Sequence, residues 1–385
     1  ARILFGFMFA TCFLSMWISN TATAMMMIPI VISIISELSK NLGTVEIKRY
    51  SIGLLLGIAY SASIGGIATL VGTPPNLSFA RIFQIYFPEA PEISFASWFF
   101  FAVPITIVLF AVIWLYLYYL YRPPKDKWQN IKPDTFHVQY KKLGRASFEE
   151  KVVFIAFILV ALLWLTRSDI SIGPVTLPGW SDLFSQPKYI NDGTIAIFIG
   201  IALFIIPSRS KRSSRIMDWK TATKLPWNIV LLFGGGFALA SGFKESGLSL
   251  WIGEHLASVL STHPIIIIFM ISIGMTFLTE LTSNTATTEM LLPVLAGMSI
   301  SAEINPLLFM IPATLSASMA FMLPVATPPN AIIFGTGRLQ VMEMAKTGFI
   351  LNIIGAVLVT LATYYWGSVI FDIDINSFPV WAAIH

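Results

Sequence analysis

Apolar residues gather in long runs along this chain, and a few short polar phrases break those runs. The stretches Trp98–Tyr121, Lys151–Thr166, Gly193–Pro207, Pro264–Leu278 and Thr347–Ile370 are almost wholly apolar. A bilayer core about 30 Å thick is crossed by about 20 apolar helical residues. Each stretch therefore predicts a membrane helix, some with help from flanking residues. Closed barrels are the other structures that span a bilayer, but their alternating strands of about 10 residues do not appear. The pattern predicts an all-α polytopic protein of the cell membrane.

Two polar phrases recur inside the apolar background. Ser19-Asn20-Thr21-Ala22-Thr23 is matched by Ser283-Asn284-Thr285-Ala286-Thr287, and each serine is followed ten residues later by a proline, Pro29 or Pro293. Gly72-Thr73-Pro74-Pro75-Asn76 is matched by Ala326-Thr327-Pro328-Pro329-Asn330. The serine of the first phrase precedes the threonine of the second by 54 residues in one copy and 44 in the other, and the excess is assigned to the polar connector Asn41–Tyr50. Matched phrases in matched order predict two homologous halves. The first is 1–121, with its polar tip at 19–21 and a broken helix at 72–76. A basic connector follows at 122–150, and the second half, 151–385, has its tip at 283–285 and its break at 326–330.

The halves begin unequally: more than 130 residues separate the connector from Ser283, whereas 18 precede Ser19. The sequence has no initiating methionine and enters an apolar run at Ile3, so N-terminal helices of the full protein are expected to be missing from it. A signal peptide is the alternative, because Arg2, the apolar run and Ala22-Thr23-Ala24 imitate its three parts. Against it, the cleavage point would fall inside the phrase that recurs at Ser283.

Composition sharpens the class. The chain of 385 residues is 56% hydrophobic and only 11% charged, against roughly a quarter charged in soluble domains. The net charge of +4 reflects loops and implies no nucleic-acid partner. The basic residues cluster at 122–151 and 208–224. Both loops are expected on the cytoplasmic side, with two spans and the polar stretch 167–191 between them; contact with anionic membrane lipid is the other reading of the first loop. A single cysteine, Cys12, excludes an internal disulfide. The histidines (137, 255, 263 and 385) lack metal-ligand spacing, and no GxSxG is present. The pattern argues against an enzyme.

The phrases carry chemistry of their own. Ser, Asn and Thr are costly in hydrocarbon unless they find partners. Ile3–Ile18 and Ala24–Ile35 flank the first phrase, and the second of these arms is short for a span, so a re-entrant hairpin turning at the phrase is expected. Consecutive prolines break helices, which predicts unwinding near residue 72 and again over Phe321–Asn330. Freed carbonyls suit a cation, and new helix N-termini suit an anion. Paired interruptions in two halves point to one transporter site near the bilayer midplane.

With these four motifs in order, the chain resembles the divalent anion/sodium symporters, the INDY-type dicarboxylate carriers. The resemblance implies Na⁺-coupled symport of succinate-, malate- or fumarate-like dicarboxylates, a homodimer, inverted repeats, and elevator-like movement of a transport domain. It implies one sodium site from Ser15, Ser19, Asn20 and a carbonyl near Gly72, and a second from Thr279, Thr282, Asn284 and Ala326. It implies substrate contacts from Asn20, Thr21, Asn284, Thr285 and Pro328. Family members that take citrate or sulfate share the SNT phrase, so such carriers are alternatives.

Glu280 and Glu289 flank the second SNT phrase, where Met16 and Met25 stand in the first copy. They are candidates for a proton or cation site, which would make a proton-coupled anion exchanger, or for carboxylates satisfied by neighbouring hydroxyls. A channel and a membrane-embedded enzyme are the remaining rivals. Gly234-Gly235-Gly236 is expected to allow close helix packing. Trp98, Phe99, Phe100 and the aromatic run 114–121 are expected in interfacial belts or facing lipid.

Overall fold

The computed structural model describes residues 1–39, 44–122, 144–172, 175–209, 214–225, 227–256, 263–375 and 377–383. The architecture is helical: α1 Arg2–Ser15, α2 Asn20–Leu38, α3 Thr44–Ile67, α4 Pro74–Tyr86, α5 Phe95–Tyr121, α6 Phe148–Leu165, α7 Asp192–Ile205, the short α8 Trp219–Ala222, α9 Trp227–Glu245, α10 Leu248–Leu256, α11 Pro264–Leu278, α12 Asn284–Ser301, α13 Leu307–Ala317, α14 Pro328–Phe334 and α15 Val341–Leu361. A π-helical turn, Ala362–Gly367, carries α15 into the last short helix, α16 Ser368–Ile370. The expectation of a purely helical chain needs one amendment. The polar stretch after α6 contains an antiparallel ribbon, β1 Ile170–Ile172 against β2 Val175–Leu177, whose β-branched residues favour extended backbone.

Four helical segments among the described residues are long and apolar enough to cross a membrane: Asn20–Leu38, Ile47–Ile67, Phe95–Tyr121 and Val341–Ile370. The arm after the first polar phrase, α2, has 19 residues and is among these four, so it is not short as its apolar stretch suggested. Ala24–Ile35 is apolar, but the helix starts earlier, because Ser19 caps it, and continues to Leu38.

The two SNT phrases each sit at a helix-to-helix turn. α1 ends at Ser15 and α2 starts at Asn20; α11 ends at Leu278 and α12 starts at Asn284. The two proline phrases each restart a helix. Pro74 and Pro75 occupy the first positions of α4, and Pro328 and Pro329 those of α14. Proline is tolerated there because those N–H groups have no intrahelical acceptor in any case. The actual breaks lie upstream, over 68–73 and 318–327. The second interruption therefore begins three residues before Phe321 and ends before Asn330. The unequal separation of the phrases falls largely on the connector Asn41–Tyr50, as expected, but much of that connector is helix. α3 has 24 residues and α13 has 11, and Thr44–Tyr50 is already helical.

By contacts the chain forms two compact units. One comprises Ala1–Ile93, Trp98–Gln129 and Leu232–His385, and the other Ser94–Ser97 and Asn130–Leu231. The first holds both copies of both phrases. Its centre is α3, buried continuously over 50–67, as expected for a helix apolar on every side. Leu54, Leu55, Leu56, Tyr60, Phe309 and Phe321 are fully buried there. Trp98 joins them instead of facing lipid: it is fully buried, and its Nε1 donates to Ile67 O at 3.0 Å. The second unit holds α6, the ribbon and α7. There Trp164 Nε1 donates to Asp192 O at 2.9 Å, and Arg167 Nε meets Asp192 Oδ1 at 2.7 Å. The first basic loop falls largely outside the described residues (123–143), the second only at 210–213.

Candidate functional site

The first tip gathers around a close approach of two backbones. Asn20 is the first residue of α2, and its side chain lies against Gly66 of α3, where a Cβ would overlap Asn20 Oδ1. Ser15 Oγ lies 2.7 Å from Asn20 Oδ1 and 2.7 Å from Ala62 O, so a single hydroxyl proton serves two acceptors. The Thr69 hydroxyl donates to Met16 O and accepts from Gly72 N at 3.1 Å. Gly72 in turn rests on Gly66 O. The structure thus brings Ser15, Asn20 and Gly72 together around Gly66. It uses Ser19 differently: this side chain is exposed and caps α2, accepting from Ala22 N at 3.3 Å.

The second tip is arranged more loosely. Thr279 is buried, with its hydroxyl donating back to Met275 O at 3.0 Å or Thr276 O at 3.1 Å. Thr282 is exposed and bonds Leu278 O at 2.8 Å and the Thr287 hydroxyl at 2.6 Å. Asn284 Oδ1 is buried without a hydrogen-bond partner. Among the described residues no hydrogen bond joins Thr279, Thr282, Asn284 and Ala326 to one another. Thr21 and Thr285 sit in the first turns of α2 and α12, neither of which carries an acidic residue in that turn. Both N-termini therefore keep their positive dipole ends uncompensated by acid. Ala326 is buried and Pro328 exposed.

The breaks are held by side chains that the sequence reading left without a role. Asn76 Nδ2 donates to Gly66 O, Ile67 O and Thr69 O at 3.2, 3.4 and 2.7 Å. In the second copy Asn330 Nδ2 donates to Ala320 O at 3.0 Å and Leu323 O at 3.1 Å. The two copies meet where Tyr60 OH donates to Phe321 O at 2.9 Å, with the rings 5.0 Å apart.

Glu280, nearly fully buried, accepts from Met322 N at 2.8 Å, Leu323 N at 2.9 Å and Asn352 Nδ2 at 2.7 Å. Backbone and amide donors satisfy it, not hydroxyls. Glu289 accepts from the Ser78 hydroxyl at 2.9 Å, which ties α12 to α4. Of the three consecutive glycines only Gly236 allows a close approach, since a Cβ there would overlap Glu289 Oε2; Gly234 and Gly235 have open space.

A third repeated phrase escaped the sequence reading. Ser61-Ala62-Ser63 and Ser316-Ala317-Ser318 precede the threonines of the proline phrases by twelve and eleven residues. All four hydroxyls are buried without hydrogen-bond partners. The signal was the repeat itself, at nearly the same offset as the proline phrases.

Comparison with known proteins gives concordant results. A family model described as the sodium:sulfate symporter transmembrane region matches residues 2–373. The sodium-dependent dicarboxylate transporter SdcS of Staphylococcus saprophyticus is 43% identical over 380 residues, covering 97% of this chain and 71% of that protein. Its namesake from Staphylococcus aureus strain NCTC 8325 is 44% identical over 381 residues, covering 98% and 71%. Among solved structures, MtrF of Neisseria gonorrhoeae, described in terms of antimetabolite efflux pumps, superimposes with a TM-score of 0.51 at 13% identity, covering 94% of this chain and 80% of that one. That likeness concerns the fold alone.

Proposed function

Because the chain belongs to the sodium:sulfate symporter family, we propose that it is a multi-pass carrier of the plasma membrane that moves C4-dicarboxylates such as succinate, malate or fumarate by symport with Na⁺. The observation that carries this reading is the paired arrangement of polar helix starts and broken helices. Each copy presents an acid-free helix N-terminus beside a turn rich in hydroxyl and carbonyl oxygen. No Lys or Arg stands in any of the four phrases, so a bound dianion is balanced by co-transported Na⁺ and by helix ends worth roughly half a charge each.

In this reading Ser15, Asn20 and the Gly72 carbonyl hold one sodium ion, with Ser19 on the rim of the tip. Thr279, Thr282, Asn284 and the Ala326 carbonyl hold the other once the second tip closes. Asn20 and Thr21 meet one carboxylate and Asn284 and Thr285 the other, with Pro328 at the wall. Sodium binding comes first, because an empty site has oxygen where it needs positive charge. The two halves act as inverted repeats whose re-entrant hairpins meet at the midplane, the basic loops face the cytoplasm, and the protein works as a homodimer by an elevator-like movement.

The family's description names sulfate, which favours a second reading in which the same sodium mechanism carries sulfate or citrate. Uptake of labelled succinate, sulfate and citrate into proteoliposomes under an inward Na⁺ gradient, against K⁺, separates the two. Saturable Na⁺-dependent succinate uptake, lost in Asn20→Ala and Asn284→Ala, is the expected result. Uptake indifferent to Na⁺ but responsive to pH would replace the symporter with a proton-coupled exchanger.

A further inference from the structure

Asn76 and Asn330 occupy the same place in the two proline phrases, are fully buried, and make the same kind of contact. Each turns its amide nitrogen back onto the carbonyls of the break just upstream. Asn76 Nδ2 has two protons for three carbonyls (Gly66, Ile67 and Thr69), all within 3.4 Å. Asn330 Nδ2 holds Ala320 O and Leu323 O. These bonds fix which way each amide points, because a flipped amide would set Oδ1 against carbonyl oxygens. Both Oδ1 atoms are then left buried with no donor in reach. An unpartnered buried acceptor is costly, and here the cost recurs at matching positions of two copies. Around the first break acceptors outnumber protons again at Ser15, whose one hydroxyl proton lies between Asn20 Oδ1 and Ala62 O. A surplus of oxygen acceptors in a buried place is what a desolvated hard cation needs.

We propose that Asn76 and Asn330 are positioning residues of the two sodium sites: each amide gathers the carbonyls of its broken helix, and each Oδ1 adds an acceptor oxygen beside them. The inference rests on the sodium-site reading above. It separates these residues from ordinary structural asparagines, which would support the fold without affecting the ion. Residues that orient metal ligands typically change metal affinity about 10–100-fold when altered.

The test uses full-length protein carrying Asn76→Leu or Asn330→Leu, which keep the side-chain shape but remove donor and acceptor, and Asn76→Ala or Asn330→Ala in parallel. Two quantities are read: the Na⁺ concentration for half-maximal succinate uptake in proteoliposomes, and the Na⁺-dependent rise in melting temperature in detergent, each against K⁺. The half-maximal Na⁺ concentration is expected to rise about 10–100-fold, with near-normal uptake at saturating Na⁺ and little change of melting temperature in K⁺. Ser299→Ala, a buried hydroxyl bonded within its own helix, should leave the Na⁺ dependence unchanged. Variants that melt earlier yet keep the wild-type Na⁺ dependence, or that fail to fold in both the Leu and Ala forms, make the asparagines structural and overturn the proposal alone. A wild-type protein indifferent to Na⁺ in both measurements overturns the sodium-site reading as well.

Discussion

Gly66 shows how one atom decides the first tip. With no Cβ, this residue of α3 lets Asn20 sit directly on the helix backbone, and Gly72 lies on its carbonyl from the other side. Gly66→Ala places a methyl group where Asn20 Oδ1 is, so the side chain must swing away from Ser15 and the hydrogen bond at 2.7 Å is lost. We predict that this variant folds but needs about tenfold more Na⁺ for half-maximal uptake, a change worth about 1.4 kcal/mol. Gly234→Ala, where nothing lies within 4 Å, is the control: the same substitution in a helix with open space should leave uptake unchanged and stabilise by up to about 1 kcal/mol. Equal Na⁺ dependence in the two variants would mean that Asn20 is not held at the ion. The SNT phrases were conspicuous in the sequence because polar residues stand out in apolar runs. The role of Gly66 was not legible there, since it depends on a helix 46 residues away in sequence.

Among the elements, the two breaks solve opposite problems. The first, over 68–73, frees carbonyls at the end of α3, and these receive the Asn76 amide and the Trp98 indole. The second, over 318–327, is longer and also frees N–H groups, which Glu280 takes at Met322 and Leu323 while Asn352 links the carboxylate to Phe321 N at 3.2 Å. This explains why the first copy has Met16 where the second has Glu280: the shorter break has no comparable run of N–H groups to satisfy. Glu280→Gln keeps one acceptor oxygen and turns an amide N–H₂ toward a backbone donor. Leaving one buried N–H unpaired should cost about 1–3 kcal/mol, seen as a lower melting temperature in Na⁺ and K⁺ alike. A variant as stable as wild type would mean that the carboxylate is not holding the break. The positions of breaks and turns were legible in the sequence because proline and polar phrases act locally. What closes each break was not legible: Trp98, Asn352 and Glu280 come from elsewhere along the chain, and an aromatic residue beside apolar neighbours reads as lipid-facing until the packing is known. The extra length of α3 was likewise hidden, because a helix end cannot be read from a polar connector alone.

At the scale of the whole molecule, the proposed function makes the two copies set the charge that crosses the membrane. In that proposal the two tips and two breaks form two sodium sites, and no basic side chain in the phrases adds to them. Two Na⁺ with a dianion sum to zero, so the loaded carrier should move without regard to membrane potential. A third Na⁺ would gain about 2.3 kcal/mol per 100 mV, enough to bias accumulation strongly. We therefore predict that Na⁺-driven succinate uptake into proteoliposomes is unchanged when a K⁺ gradient and ionophore impose an inside-negative potential of about 100 mV, on the scale just given. Faster uptake under that potential would require a net positive loaded state and a further cation outside the paired phrases. The buried serines of the third repeated phrase, Ser61, Ser63, Ser316 and Ser318, unpartnered in the core, would then be the first oxygens to replace in looking for it. A voltage-indifferent carrier would instead leave those hydroxyls outside the ion count and support a charge balance made by the two tips alone.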